Sequence, residues 1–220
     1  MGAVMTSLAD SIFRAFSPSP RRVFFSLHYQ RDIWRAQQVK NHWVAKETYT
    51  AAGFFDGSLE EKAKKEGNEA VKRLINKGLV GASVTCVLIG AETYNRRWVY
   101  YEIFKSIEEG MGVFGVRIHK LKDRTGKADN AGSNPFSFLG YGTGEGSAKI
   151  WPKIHYTSGW KDAPHNGPIN RAAAPYLDGV LFKPSLDRLD RIFSVYDWVD
   201  DDGYNNFSSW VTAAAEQAGR

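Results

Sequence analysis

The sequence predicts an α/β fold in which helices cover both faces of a central parallel sheet, and three observations carry that reading. Ser83–Gly90 (SVTCVLIG) is β-branched, apolar and uninterrupted, the pattern of a strand buried on both faces. Val113–His119 (VFGVRIH) is a second run of the same kind. Between them, Asn95–Glu109 has helical spacing and stops at Gly110, so strand and helix alternate as they do in doubly wound sheets.

The other elements follow in chain order. Met1–Phe16 reads as a short amphipathic lead-in; Met1-Gly2 with Thr6 is only a formal match to an acylation pattern. Ser17-Pro-Ser-Pro20 is a linker, because two prolines exclude regular structure, so residues 1–20 are an extension and 21–220 the domain. Val23–Leu27 is a buried strand and Asp32–Ala45 a helix with Ile33, Ala36, Val39 and Trp43 near helical spacing. Ala51–Phe55 reads as a second short strand. Ser58-Leu-Glu-Glu61 has capping-box spacing and opens a charged helix to Lys77, with Gly78 as its stop. From Lys120 to Pro184 periodicity dissolves, which predicts an irregular insertion. Phe193–Val199 is expected as a last strand and Tyr204–Ala215 as a closing helix.

At 220 residues the chain is long enough for a full core without staples. Its single cysteine, Cys86, excludes an intramolecular disulfide and any multi-cysteine metal site, and fits a reducing cytoplasm. Cys86 lies within an apolar strand, as a buried, inert thiol would. No apolar run approaches the ~18–20 residues of a spanning helix, so no membrane partner is expected. The formal net charge is +5, yet Ser185–Arg220 holds three Lys/Arg against seven Asp/Glu. With no dense basic run and no nucleic-acid motif, phosphate-bearing small molecules fit this charge as well as nucleic acid does.

Open α/β sheets bind ligands at the carboxyl ends of their strands. That rule selects Ser26, His28 and Tyr29 after the first strand, Phe55 and Asp56 after the second, and Tyr94, Asn95, Trp98 and Glu102 after the third. Such a polar, aromatic set suits a nucleotide, whose rings stack and whose riboses take short polar partners. In the helix 95–109, Val99, Ile103 and Ile107 face the sheet, while Trp98 and Glu102 share another flank one turn apart. The residues alone leave two readings of that pair: a structural Trp beside a solvated Glu, or the wall and acid of a cleft. Asn95 fits a helix N-cap as well as a ligand contact, and Asp56, ahead of a helix, fits a cap as well as a ribose.

Other candidates carry less. Gly140–Gly146 lacks the context and ending of a phosphate loop and reads as a flexible connector. Ser26 and His28 lack a nucleophile elbow. His42, His119, His155 and His165 have no metal spacing, so no metal ligands are assigned. Asp197 and Asp200–Asp202 read as caps of the following helix.

Arg22–Tyr29 (RVFFSLHY), Ala52–Asp56 (AGFFD), Val84–Gly90 (VTCVLIG) and Tyr94–Glu102 (YNRRWVYYE) resemble, in order, successive motifs of TIR-like domains, in particular the TIR proteins of bacterial Thoeris anti-phage defence. The likeness covers nearly all of Arg21–Val211, including Tyr196-Asp-Trp-Val199 and Asp202-Gly-Tyr-Asn205, and leaves out the first twenty residues. It implies a flavodoxin-like TIR fold and a cytoplasmic enzyme of the NAD+ glycohydrolase or ADP-ribosyl cyclase type. It further implies that NAD+ is a substrate rather than a cofactor, and that the products are nicotinamide and a cyclic ADP-ribose isomer. The cyclic product would act as a second messenger on a ThsA-type effector, with a phage component as trigger and a homo-oligomer allowed. Trp98-Val-Tyr-Tyr-Glu102 matches the family pattern of a catalytic glutamate four residues beyond a Trp, so that role passes to Glu102. Tyr29, Phe55, Tyr94 and Trp98 are then candidate aromatic walls, His28 and Asn95 candidate partners of ribose or phosphate oxygens, and Asp56 of a ribose diol. The alternative is a non-enzymatic TIR scaffold acting through TIR–TIR pairing, since fold alone does not assign function.

Overall fold

The computed structural model describes residues 21–45, 50–52, 57–143, 149–170, 172, 174, 177 and 186–220. The expected strand end at Phe55 and Asp56, and the extension 1–20, lie outside these residues.

Strand β1 (Arg22–Ser26) leads into helix α1 (Tyr29–Ala45), and β2 (Thr50–Ala52) into helices α2 (Gly57–Glu66) and α3 (Asn68–Leu79). The single helix expected over 58–77 is thus two, broken at Gly67, whose φ of +104° is open to glycine and strained for other residues. Gly78 does not stop α3, which runs to Leu79; the turn falls at Gly81, with φ +75°. Strand β3 (Val84–Ile89), helix α4 (Arg97–Glu108) and strand β4 (Gly112–Arg117) follow within two residues of the sequence reading. Asn95 is not the N-cap of α4; it ends a short 3-10 turn, and Arg96 occupies the cap position.

The insertion is irregular only in part: residues 121–134 hold no helix or strand, and regular strands begin at Leu139. Strands β5 (Leu139–Thr143), β6 (Lys149–Tyr156), β7 (Gly159–Asp162), β8 (Ile169–Asn170) and β9 (Leu186–Arg188) form an antiparallel sheet. Gly140–Thr143, expected as part of a flexible connector, belongs to β5, which pairs over its whole length with β6 and through Gly140–Gly142 with β9. These strands are short and carry Gly140, Gly142 and Pro152, so their alternation is too brief to register as periodicity. Strand β10 (Val195–Asp197) and helix α5 (Gly203–Gln217) complete the chain.

The parallel sheet runs β10-β4-β3-β1-β2, the flavodoxin-like order, with its switch point between β1 and β3. On one face α1 and α5 bury Val39, Trp43, Phe207 and Val211 against Phe25, Cys86, Leu88 and Phe114. On the other, α4 lies over Val87, Ile89 and Val113, and it is covered by Phe136 of the 3-10 turn 135–138 and by Tyr141, Ile150 and Ile154 of the antiparallel sheet. Helices α2 and α3 close the same face over Phe24 through Ala63, Val71 and Ile75. Each large apolar side chain buried this way contributes about 1.5–3 kcal/mol.

Cys86 is buried, and burial pushes its thiol well above the ordinary range. The Asp197–Asp202 acids brace the turn before α5 rather than capping the helix. Asp197 Oδ1 accepts from the amides of Val199 and Asp200, and Asp202, left-handed at the cap position, makes no side-chain cap bond.

Candidate active site

A cleft of about 410 Å³ opens at the carboxyl edge of the parallel sheet, beside the switch point. Strand β1 ends there, and the chain that leaves it lines the cleft with His28 and, at the start of α1, Tyr29 and Gln30, while Ser26 lies buried behind. The first two turns of α4 deliver Trp98, Val99 and Glu102, preceded by Asn95 and Arg96. Helix α3 gives an apolar side of Val71, Leu74 and Ile75, and Lys64 of α2 stands at the rim.

Glu102 is the buried acid of the cleft lining. It is 6% exposed, and Ser26 Oγ donates a 2.5 Å hydrogen bond to its Oε2. A carboxylate in such a place has lost most of its water, so a charged bond from a neighbouring hydroxyl offsets part of that cost. Helical spacing places Glu102 off the apolar stripe of its helix; the end of β1 fills the space beside it and makes it buried rather than solvated. One turn further on, Ser106 Oγ bonds the Glu102 carbonyl oxygen and Thr85 Oγ1, each at 2.7 Å, tying this stretch of α4 to β3.

Trp98 lies half-buried one turn before Glu102. His165, from the turn after β7, stacks on its indole with ring centroids 5.3 Å apart and planes at 19°. Tyr101 meets it edge-on at 5.9 Å, and the Arg97 guanidinium sits 4.9 Å from its centroid. The indole is thus held as a flat wall by three neighbours.

His28 has a lowered pKa, first through burial and then through the Arg96 cation, so its imidazole is neutral at physiological pH. Its Nδ1 is enclosed by protein with no hydrogen-bond partner. Arg96 is ion-paired to Glu92, which also pairs with Arg31 at 2.6 Å, and Arg31 reaches Asp129 at 2.9 Å. This chain of alternating charge fixes the cleft-facing arginine from behind.

The structure therefore brings Glu102, Trp98, His28, Tyr29 and Asn95 to one cleft. It does not bring Tyr94 there: that ring packs on Phe138, 5.7 Å away, and its carbonyl accepts from the Tyr100 hydroxyl. The reason is the 3-10 turn 93–95, which swings Tyr94 toward the antiparallel sheet. Phe55 and Asp56 lie outside the described residues.

Sequence reasoning missed the bond from Ser26 to Glu102, the cations Lys64, Arg96 and Arg97, and His165. The arginines did leave a signal, since two cations at a helix N-terminus oppose its dipole and imply another reason for being there. His165 left none; it is 63 residues beyond Glu102 in a stretch without periodicity. Among the described residues no cluster of His, Cys, Asp or Glu fits a metal ion, and no helix is long and apolar enough to cross a membrane.

Comparison with known proteins identifies similar chains. The family model described as "Thoeris protein ThsB, TIR-like domain" matches residues 24–123, a span that holds Ser26, His28, Trp98 and Glu102. A protein of Bacillus cereus (strain MSX-D12) named "Putative cyclic ADP-D-ribose synthase ThsB1" is 48% identical over 195 residues, which is 87% of this chain and 98% of that protein.

Proposed function

Since this chain belongs to the ThsB TIR-like family, we propose that it cleaves the nicotinamide–ribose bond of NAD+ and closes the ADP-ribose that remains into a cyclic product. The observation that carries this reading is the buried Glu102 carboxylate, held by Ser26 and facing the same cleft as Trp98.

The chemistry fits one carboxylate. Nicotinamide departs from a cationic pyridinium as a neutral molecule, so no acid need protonate it. Positive charge instead builds at C1 of the ribose, as in glycoside cleavage. Glu102 opposes that charge in a site of reduced dielectric, where a fixed anion is far more effective than in water. The Ser26 bond holds the carboxylate in place, so little reorganisation is needed as the charge develops. Lys64, Arg96 and Arg97 give the rim the sign that a diphosphate requires. The Trp98–His165 wall offers a flat face to a base, and the apolar α3 side keeps water from the reacting carbon. In this reading the cyclic nucleotide is a diffusible signal to a ThsA-type effector, and a phage component switches synthesis on.

The test is to incubate purified protein with NAD+, with and without a filtrate of phage-infected cells. Free nicotinamide and the nucleotide product are read by chromatography and mass. Nicotinamide appearing with a product one water lighter than ADP-ribose supports the reading. Intact NAD+ under both conditions overturns it in favour of a TIR scaffold.

A further inference from the structure

Cyclisation requires a proton to leave the attacking ribose hydroxyl, and the cleft contains a group suited to take it. We propose that His28 is the general base of the ring-closing step, accepting at Nε2 the proton of the ribose hydroxyl that attacks C1. This rests on the NAD+ reading above and extends it to a second, separate proton-handling residue.

Among the described residues of the cleft the choice is narrow. Lys64, Arg96 and Arg97 are cations without an accepting lone pair at neutral pH. Tyr29 brings a phenolic O–H, a donor to a ribose oxygen rather than a base. Glu102 already accepts from Ser26 and must keep its negative charge while C1 is positive. A glutamate that took the proton would lose that charge at the step that needs it. His28 is the other base in the lining, two residues beyond Ser26 on the same chain segment.

Its surroundings suit the role. Nε2 is the nitrogen with access to the cleft, and it accepts in the tautomer that carries the ring hydrogen on Nδ1; Nδ1 is buried without a partner, so imidazolium gains no acceptor there and the ring favours its neutral form. The charged groups around the imidazole are Arg96 and Glu92 before α4, Arg31 on α1 and Lys64 on α2. Burial and the three cations lower its proton affinity, and Glu92 alone raises it. The ring is therefore neutral and ready to accept, and it returns the proton to water readily afterwards.

The balance closes without another reactant. The C1–N bond breaks and its electron pair stays on nicotinamide. The hydroxyl oxygen supplies the pair for the new C1–O bond, and its proton moves to Nε2. Imidazolium then releases that proton to solvent, so each turn gives one nicotinamide, one cyclic nucleotide and one proton. A base acting at this step contributes about 10²–10⁴-fold to it. Cleavage itself does not call on His28, so its loss should leave an intermediate that forms but closes poorly.

The experiment compares native protein and His28→Gln under the conditions that activate NAD+ cleavage, with His28→Asn as a second variant should Gln disturb folding. Three quantities are read: cyclic product, linear ADP-ribose, and exchange of labelled nicotinamide into NAD+, which reports formation of the intermediate. The expected result is a fall of tenfold or more in cyclic product, a fall of no more than about threefold in exchange, and a rise in the linear share. In native protein the cyclic share should also drop as pH falls below 6.5, through the lowered His28 pKa, and that pH dependence should vanish in the variant. Native-like cyclic shares in the variants, or a parallel loss of exchange and cyclic product, overturn the assignment. So does a native cyclic share that is flat with pH, which needs no variant to measure. Absence of nicotinamide release from native protein refutes the NAD+ reading itself, a distinct outcome from any of these.

Discussion

Ser26 Oγ lies 2.5 Å from Glu102 Oε2, and the contact joins the end of the first strand to the second turn of a helix 76 residues later. Both groups are buried, so the bond works in a medium of low dielectric.

Ser26→Ala removes the hydroxyl that donates to the buried Glu102 carboxylate. The expected cost to stability is about 1–3 kcal/mol. Nicotinamide release should fall about tenfold in kcat with KM little changed, because the anion is no longer held where charge develops. Thermal melting and steady-state kinetics measure the two effects. Native kcat in a folded variant would show that Glu102 is positioned by other contacts.

Glu102→Gln keeps the shape and an oxygen able to accept from Ser26, but it removes the charge. NAD+ cleavage should fall by about 10²-fold or more. The fold should survive, since a neutral amide is cheaper to bury than a carboxylate. Near-normal nicotinamide release from a well-folded variant would end the catalytic assignment.

Asp32 offers a prediction away from the cleft. Its side chain is fully buried, neither carboxylate oxygen has a hydrogen-bond partner, and Arg35 stands 3.7 Å away. Burial, only partly offset by Arg35, pushes its pKa from 3.8 up to about 6. The folded state thus holds this proton more tightly than the unfolded chain does. Below about pH 4 both states are protonated and Asp32 costs nothing. From there to pH 6 the unfolded chain ionises first, and above pH 6 the folded state carries a penalty of about 3 kcal/mol. Asp32→Asn should therefore raise Tm at pH 8 and give progressively less advantage toward pH 4. Melts at pH 4, 6 and 8 decide it; a Tm difference that is constant with pH would refute the mechanism.

Gly112 opens β4 against the last turns of α5, where an added Cβ would lie 2.2 Å from the Ala214 carbonyl oxygen. That neighbour is backbone and cannot rotate away. Gly112→Ala should cost about 1–3 kcal/mol or more, a Tm loss of several degrees. An unchanged Tm would mean that α5 shifts freely on the sheet.

The parallel sheet was legible because its strands are buried on both faces, and Val84–Ile89 therefore reads as an unbroken apolar run. Glu102 and Trp98 were legible as a pair because helical geometry puts i and i+4 on one flank. Their burial was not, because it depends on the end of β1, and no local pattern encodes that contact. The antiparallel sheet stayed hidden for a related reason. Its two-to-eight-residue strands are stabilised by pairing with one another and by packing on α4, so their signal is tertiary. His165 belongs to that sheet's turns and reaches Trp98 only once both sheets are in place.

How the product divides between ring and chain depends on how well the cleft excludes water. Trp98 is clamped by His165, Tyr101 and Arg97, so it stands as a rigid wall over the cleft. A ribose hydroxyl captures C1 only while the nucleotide is held folded and water is kept out. Trp98→Ala opens that wall, and the linear share of ADP-ribose should rise at the expense of the cyclic product. His165→Ala should move the ratio the same way by a smaller amount, since the indole remains but loses its stacking partner. Because both nucleotides come from the same active molecules, their ratio does not depend on how much of a variant is folded. The shift should also be independent of pH, unlike that of the His28 variants, because it comes from water access and not from a titrating base. Equal losses of cyclic and linear product in both variants would mean that Trp98 and His165 serve binding or packing, and the wall assignment would fall.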